Sequence, residues 1–228
     1  LSDLEMLEKI SVGIQKLVKK GDMDALKKAQ YIDQVISHLS SGMSARSIEN
    51  ISEVKSYLNE YNLITLKPVI YVCNVDENSI IDGNKFSASF KDHIKSNIIL
   101  ISADIESQIA TLSNEEQSDF LSSLGLKESG LNKIIREGYD TLNLITYFTS
   151  GEMESRAWTI EKNTLAPDAA GKIHTDFKSG FIRAETISSE DFITCKGETK
   201  ARELGKLRSE GKEYVVQDGD VMHFLFNN

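Results

Sequence analysis

No G-x-x-x-x-G-K-[ST] signature occurs in the 228 residues. The nearest approach, Gly171-Lys172, lacks the first glycine and runs on into Ile173. A backbone cradle for nucleotide phosphates is therefore not encoded here. Cysteine is also scarce: Cys73, in an apolar run, and Cys195, far along the chain, make no disulfide framework. Their scarcity points to a reducing, cytoplasmic compartment. No stretch approaches the ~18 consecutive apolar residues of a membrane span, and no signal-like segment opens the chain. Basic charge is in the minority, 26 Lys/Arg against 35 Asp/Glu, for a net charge of −9. That balance argues against a protein that coats itself in nucleic acid. Neither a DNA nor a membrane partner is expected, although a local basic face remains compatible with the total. The histidines His38, His93, His174 and His223 are scattered, without metal-ligand spacing or a Ser or Cys nucleophile motif beside them. Neither a metal site nor a catalytic set is expected from them.

What is present begins with Val69-Ile70-Tyr71-Val72-Cys73, a short unbroken apolar run that ends in Asn74-Val75-Asp76-Glu77. The run predicts a strand buried on both faces of a parallel sheet, with Cys73 a small buried hydrophobe. An Asn at the carboxyl end of such a strand points into the crevice where open α/β folds bind nucleotides. A carboxylate three residues later can accept hydrogen bonds from a base edge. The base-reading half of a nucleotide site is thus expected without its phosphate-binding half. Taken alone, Asn-x-x-Glu after a strand is equally an ordinary turn.

Residues 1–62 carry a helical pattern. Leu4, Leu7, Ile14 and Val18 fall at a/d-like spacing, widened by Ile10 and Leu17. Gly21-Asp22 interrupts the pattern, and Leu26, Ala29, Ile32, Ile36 and Leu39 resume it. The spacing predicts an antiparallel helical hairpin closed near Ser41-Gly42, with a third short helix after Ser52 as N-cap. Residues 63–142 read as α/β. A strand at 69–73 leads to a Gly-Asn turn at 83–84, a helix near 86–95 and a second apolar strand, Ile98-Ile99-Leu100-Ile101. Ser113 to Glu116 is a capping box opening a helix that ends near Gly125. Leu131, Ile134, Ile135 and Tyr139 line one face of a further helix. Two strands are too few for a stable doubly wound sheet. With the start at Leu1, this leads to the expectation of a longer parent protein.

Residues 143–228 are β-rich and slightly acidic, 11 Lys/Arg against 14 Asp/Glu. Strands at 144–149 and 154–160 form a hairpin around Gly151. A helical piece near 173–177, a strand at 181–187 and a helix near 198–209 follow. A closing pair, 213–216 and 221–226, is expected around Asp218-Gly219. The arrangement is close to a β-grasp: α+β, with one or two helices on the sheet.

The run GKIHTDFKSGFIRAETISSEDFITCKGE (171–198), with RAWTI before it and EGKEYVVQDGDVMHFLF after it, resembles the TGS domain of the YchF (Obg-like ATPase) family. GDMDAL in the helical hairpin, ITLKPVIYVCNVDE with its N-x-x-E motif, and GLNKIIREGYDTLNLITYFTSG as the bridge into TGS agree in order. The resemblance covers essentially the whole chain. It implies a helical coiled-coil insertion at 1–62, the C-terminal part of a P-loop NTPase-type domain at 63–142, and a TGS domain at 143–228. It also implies ATP hydrolysis and ribosome association. The family's P-loop, switch and Mg²⁺-binding residues precede the coiled coil, so ATP phosphates and Mg²⁺ would be held in the parent protein outside this chain.

Relatives that bind guanine use Asn-Lys-x-Asp, where the Asp accepts from the N1–H and the exocyclic amine. Adenine offers an acceptor at N1 and an amino donor at C6. Here Val75 and Glu77 occupy the Lys and Asp positions. By resemblance, Asn74 meets the N7/amino edge of adenine, Val75 supplies apolar wall and backbone contact, and Glu77 orients the loop or the base. Ser102-Ala103, after the second strand, takes the place of the family's second base-contacting loop, where a backbone N–H and a small side chain can approach the purine. Lys172, Lys178 and Arg183, with Phe177 and Phe181, suggest an RNA- or ribosome-facing patch, or else a solvated face over core aromatics. His174 reads as a helix-entry or core-satisfying residue. Three readings stand: part of a YchF-type ATPase, a non-catalytic RNA- or ribosome-docking module, and a helical scaffold.

Overall fold

A computed structural model describes residues 1–94, 96–151 and 153–227. Two compact units divide the chain, Leu1–Val69 and the part from Ile70 onward.

In the first unit, α1 (Ser2–Val18) and α2 (Met23–Ser40) pack side by side as a hairpin. Gly21 turns the chain at φ +83°, and the Asp22 carboxylate accepts the amides of Asp24 and Ala25, both at 3.0 Å, capping α2. Leu7, Ile14, Ala29, Ile32 and Val35 form the core with Val54 and Leu58 of α3 (Ile51–Leu58). Three details differ from the sequence reading. The hairpin turns at Gly21-Asp22 rather than near Ser41-Gly42, where α2 ends. Leu17 lies outside the stripe at 47 % exposure, and the small residue Ala25 is buried where the hairpin closes. Helix α3 starts one residue before Ser52, with Asn50 at the cap position; its carbonyl accepts from Glu53 and Val54.

Asp3 is buried at 3 % exposure. Its carboxylate accepts from the Ile64 amide (3.1 Å), the Thr65 amide (2.7 Å) and the Thr65 hydroxyl (2.6 Å), pinning the start of α1 to a 3₁₀ turn at Ile64–Leu66. Burial alone would raise its pKa. The hydrogen bonds from Thr65 and Ile64 outweigh burial, and the net shift is downward.

The second unit opens with two parallel strands, β1 (Tyr71–Asn74) and β2 (Ile98–Ile101), in register from Tyr71↔Ile98 to Asn74↔Ile101. They are joined through α4 (Lys85–Ile94). The expected helix reached residue 95, which lies outside the described residues. Strand β1 is not buried on both faces. Tyr71 and Cys73 are half-buried, while Val72 (40 % exposed) and Asn74 face outward. A sheet of two described strands has one covered face, where Cys73 and Leu100 pack on Val75, Ile80, Ile105 and Ile109. Three helices follow: α5 (Ala103–Ile109), α6 (Asn114–Ser123), opened by the Ser113/Glu116 capping box, and α7 (Gly130–Thr141).

A five-stranded mixed sheet then forms from β3 (Leu144–Ser150), β4 (Ser155–Glu161), β5 (Phe181–Ser188), β6 (Arg208–Glu210) and β7 (Asp220–Phe226), in the order β4-β3-β7-β5-β6. β3 runs parallel to β7, and the other neighbours are antiparallel. Helix α8 (Ala166–Ile173), with Pro167 in its first turn, buries Ala166, Ala169 and Ala170 in one core with Tyr147, Phe181, Ala184, Met222 and Phe224. The expected piece at 173–177 is thus two helices, α8 and α9 (Thr175–Ser179). Helix α10 (Ser189–Thr194) has no counterpart in the sequence reading. The helix expected near 198–209 is only α11 (Glu198–Glu203), because Gly205 turns left-handed at φ +69° and Arg208 enters β6.

The closing pair is also corrected. Residues 213–216 make no strand; Val215 forms an isolated bridge to Leu165, and β7 pairs instead with β5 and β3. Buried Asp220 holds this corner. It accepts from the Tyr214 hydroxyl (2.7 Å), the Gln217 amide (2.9 Å) and Arg208 (3.2 Å), a tertiary arrangement that no strand periodicity reveals. Among the described residues no helix is long and apolar enough to cross a membrane.

Candidate functional site

Parallel pairing sets the carboxyl ends of β1 and β2 side by side, and the Val75 amide extends the ladder to the Ile101 carbonyl at 2.8 Å. The segment after each strand therefore faces the same crevice. Asn74 projects outward there, and its Oδ1 accepts the Ala103 amide at 3.0 Å. No hydrogen bond engages Asn74 Nδ2 among the described residues, so a donor is left at the mouth of the crevice. The Ala103 amide, read from sequence as free to approach a purine, is instead taken by Asn74.

Val75 turns inward, 8 % exposed, into the cluster with Ile80, Ile105 and Ile109. Asp76 accepts the Ser79 hydroxyl (2.9 and 3.0 Å) over the 3₁₀ turn Glu77–Ser79. Exposed Glu77 accepts from Gln108 Nε2 at 2.9 Å, which ties that turn to α5. Ser102 is fully buried, and its hydroxyl has no hydrogen-bond partner among the described residues.

Sequence reasoning missed two residues here. Glu106 accepts the amides of Gly130 (2.6 Å) and Leu131 (3.3 Å), fixing the N-terminus of α7 to α5. Gln108 orients Glu77. Both pairings join residues more than twenty positions apart, and no local pattern signals them.

Of the residues at the two strand ends, Asn74 retains a free hydrogen-bonding group among the described residues, its Nδ2. Among the described residues the crevice holds no acid–base pair or activated nucleophile. Among the same residues no group of three or more His, Cys, Asp or Glu side chains gathers as a metal site. A cavity of about 810 Å³ opens elsewhere, between α7 and β3, lined by Ile135, Tyr139, Asp140, Phe148, Lys162 and Asp218 among others.

The cationic patch has the features of the second alternative, charged side chains over core aromatics. Phe181 is buried, and Phe177 stacks on Phe226 with centroids 3.9 Å apart. Lys178 pairs with Asp168, and Arg183 with Glu185 at 3.5 Å. Lys172 is exposed, with no ion pair among the described residues. His174 caps α9, its Nδ1 accepting the Asp176 amide at 3.2 Å.

Residues 144–227 match the family model YchF-GTPase_C, described as a protein of unknown function (DUF933). The whole chain is 45% identical over 230 residues to "Ribosome-binding ATPase YchF" of Escherichia coli O157:H7, covering 63% of that protein. It is 44% identical over 232 residues to the protein of the same name in Bacillus subtilis (strain 168), again covering 63%. The solved YchF GTPase of Schizosaccharomyces pombe superposes with a TM-score of 0.83 at 34% identity, over 98% of this chain and 62% of that one. The architecture is thus the mixed α/β fold of the YchF GTPase structure. Over its full length the chain is thus strongly homologous to these YchF proteins. It spans about 63% of the length of the curated relatives it matches.

Proposed function

We propose that this chain is the base-reading and docking portion of a YchF-type, cytoplasmic, ribosome-associated protein that binds and hydrolyses ATP. One observation carries the reading: the 3.0 Å bond from the Ala103 amide to Asn74 Oδ1, which joins two motifs 29 residues apart into one crevice wall. With Oδ1 anchored, Nδ2 is aimed as a donor, the match for purine N7, while the second lone pair of Oδ1 suits an adenine amino group. Val75 and Ser102, both buried, support the strand ends from beneath rather than lining the crevice. Glu77, held by Gln108, keeps the turn in place rather than reaching for guanine N1–H.

The domain division follows the same reading: a coiled-coil insertion at 1–62, the C-terminal part of the nucleotide-binding domain at 63–142, and a β-grasp TGS domain at 143–228. The α1–α2 hairpin, the parallel β1–β2 pair and the five-stranded sheet under α8 support it. The triphosphate and Mg²⁺ are held by parts of the parent protein outside this chain. The cationic edge of Lys172, Lys178 and Arg183 belongs to the ribosome-facing side of the proposal, although two of its three cations are already paired.

Calorimetry on the parent protein tests the reading. Asn74→Ala is expected to weaken ATP by roughly 10-fold or more, the worth of one or two polar contacts. Unchanged affinity removes Asn74 from the base site.

A further inference from the structure

Charge is distributed unevenly along the chain. Residues 1–69 carry nine Lys/Arg and nine Asp/Glu, so the net charge of −9 belongs entirely to the remainder. Within the first unit the charges segregate again. Five of the nine cations, Lys16, Lys19, Lys20, Lys27 and Lys28, lie within thirteen residues at the closed end of the α1–α2 hairpin. Lys28 is paired with Glu60. The other four are exposed and have no ion pair among the described residues.

The two acids of the same segment do not neutralise them. Asp22 is committed to the amides of Asp24 and Ala25, and Asp24 sits in the first turn of α2, where the helix dipole favours a carboxylate. Val12 (71 % exposed), Leu17 (47 %) and Met23 (69 %) stand among the lysines as uncovered apolar side chains. A cluster of like charges without counter-charges repels itself. The Debye length is about 8 Å at physiological salt, so the four lysines act on a partner at contact range.

We propose that the closed end of the α1–α2 hairpin docks on the phosphate backbone of structured RNA. Lysine ammonium groups on flexible stems bind phosphate as point charges and demand no fixed fork geometry. They follow a backbone without reading its sequence. The remainder of the chain carries the whole net charge of −9 and disfavours the same polyanion. The identity of the RNA as ribosomal rests on the function proposed above; the phosphate chemistry does not.

The 228-residue chain is titrated against a fluorescein-labelled RNA hairpin by anisotropy at several salt concentrations, and is co-sedimented separately with purified ribosomes. In one variant Lys16, Lys19, Lys20 and Lys27 are all replaced by Gln; in a second all four are Arg; Lys55→Gln with Lys67→Gln is the control. The Gln variant is expected to lose about 10-fold or more in RNA affinity. Its slope of log K against log salt should flatten by up to about 3, at roughly 0.7 to 0.9 for each phosphate no longer neutralised. The Arg variant and the control should retain both affinity and slope. Equal affinity and slope for the Gln variant, weakened binding by the Arg variant as well, tighter binding to anionic lipid vesicles than to RNA, or no RNA binding by the parent chain each overturn the proposal. RNA-hairpin binding without ribosome sedimentation overturns the ribosomal reading and leaves the docking site standing. Ribosome sedimentation combined with an unaffected Gln variant does the reverse.

Discussion

The carboxylate of Glu106 accepts the Gly130 amide at 2.6 Å and the Leu131 amide at 3.3 Å, so the helix that leaves the Ser102-Ala103 loop also caps the start of α7. Close packing reinforces the junction: a Cβ on Gly130 would lie 2.6 Å from the Ile101 side chain and 2.9 Å from Glu106 Oε1. Strand β2, the candidate base loop and α7 therefore meet at one tightly fitted point.

Gly130→Ala is expected to destabilise the second unit by about 1–3 kcal/mol through overpacking. Glu106→Ala should cost about 1–2 kcal/mol, because two helix-start amides are left without their acceptor. Glu106→Gln keeps an acceptor oxygen and should cost less. Urea denaturation of the three variants checks the order. A Gly130→Ala protein with an unshifted midpoint shows that Ile101 simply moves aside.

Asp3 makes the first unit sensitive to acid. Its folded-state pKa lies below the ordinary value of 3.8, so its stabilisation is complete above that value and is lost as pH falls through the folded-state pKa. Hydrogen-exchange protection of α1–α3 should therefore hold from neutral pH down to about 4 and decline below it. Asp3→Asn should reduce protection at neutral pH by about 1–3 kcal/mol and remove this component of the acid dependence. A variant as protected as the parent at neutral pH rules out the pin to Ile64 and Thr65.

Local signals are legible in the sequence where neighbours decide the structure. The Ser113/Glu116 capping box, the turn at Gly21-Asp22 and the β3–β4 hairpin all depend on residues a few positions apart. Tertiary commitments are not legible. Asp3 and Thr65 are 62 positions apart, and Asn74 and Ala103 are 29 apart. Nothing in their immediate surroundings distinguishes them from solvated polar residues. Strand 213–216 fails for a related reason: Tyr214 turns to buried Asp220, and the pairing it would have made with β7 goes to β5 and β3. The burial of β1 is overestimated because an apolar run reports what can be covered rather than what is covered.

The 228-residue chain is expected not to hydrolyse ATP. Phosphoryl transfer requires a phosphate cradle, a lysine and Mg²⁺ ligands, and the sequence has no P-loop signature. Phosphate release should match a buffer blank at any magnesium concentration. Magnesium-dependent turnover that co-purifies with the chain through successive columns and is abolished by Asn74→Ala overturns both this expectation and the proposed division of labour.

Base choice in the parent protein should follow the tetrad at 74–77. Val75→Lys with Glu77→Asp rebuilds Asn-Lys-x-Asp and should shift preference from ATP towards GTP. The shorter carboxylate gives up its 2.9 Å hydrogen bond from Gln108 and becomes free to meet guanine N1–H and the exocyclic amine. A mispaired polar edge costs about 1–3 kcal/mol, so the ATP/GTP affinity ratio should move by roughly 5- to 150-fold. The same change carries a penalty, because Val75 is 8 % exposed in the cluster with Ile80, Ile105 and Ile109, and a lysine there must reach out to solvent. Glu77→Asp alone is therefore the informative companion: it frees the carboxylate without disturbing the core. Side-by-side calorimetry with ATP and GTP decides the matter. An unchanged ratio in both variants takes base choice away from Glu77 and leaves it with the Ser102-Ala103 loop or with residues outside this chain.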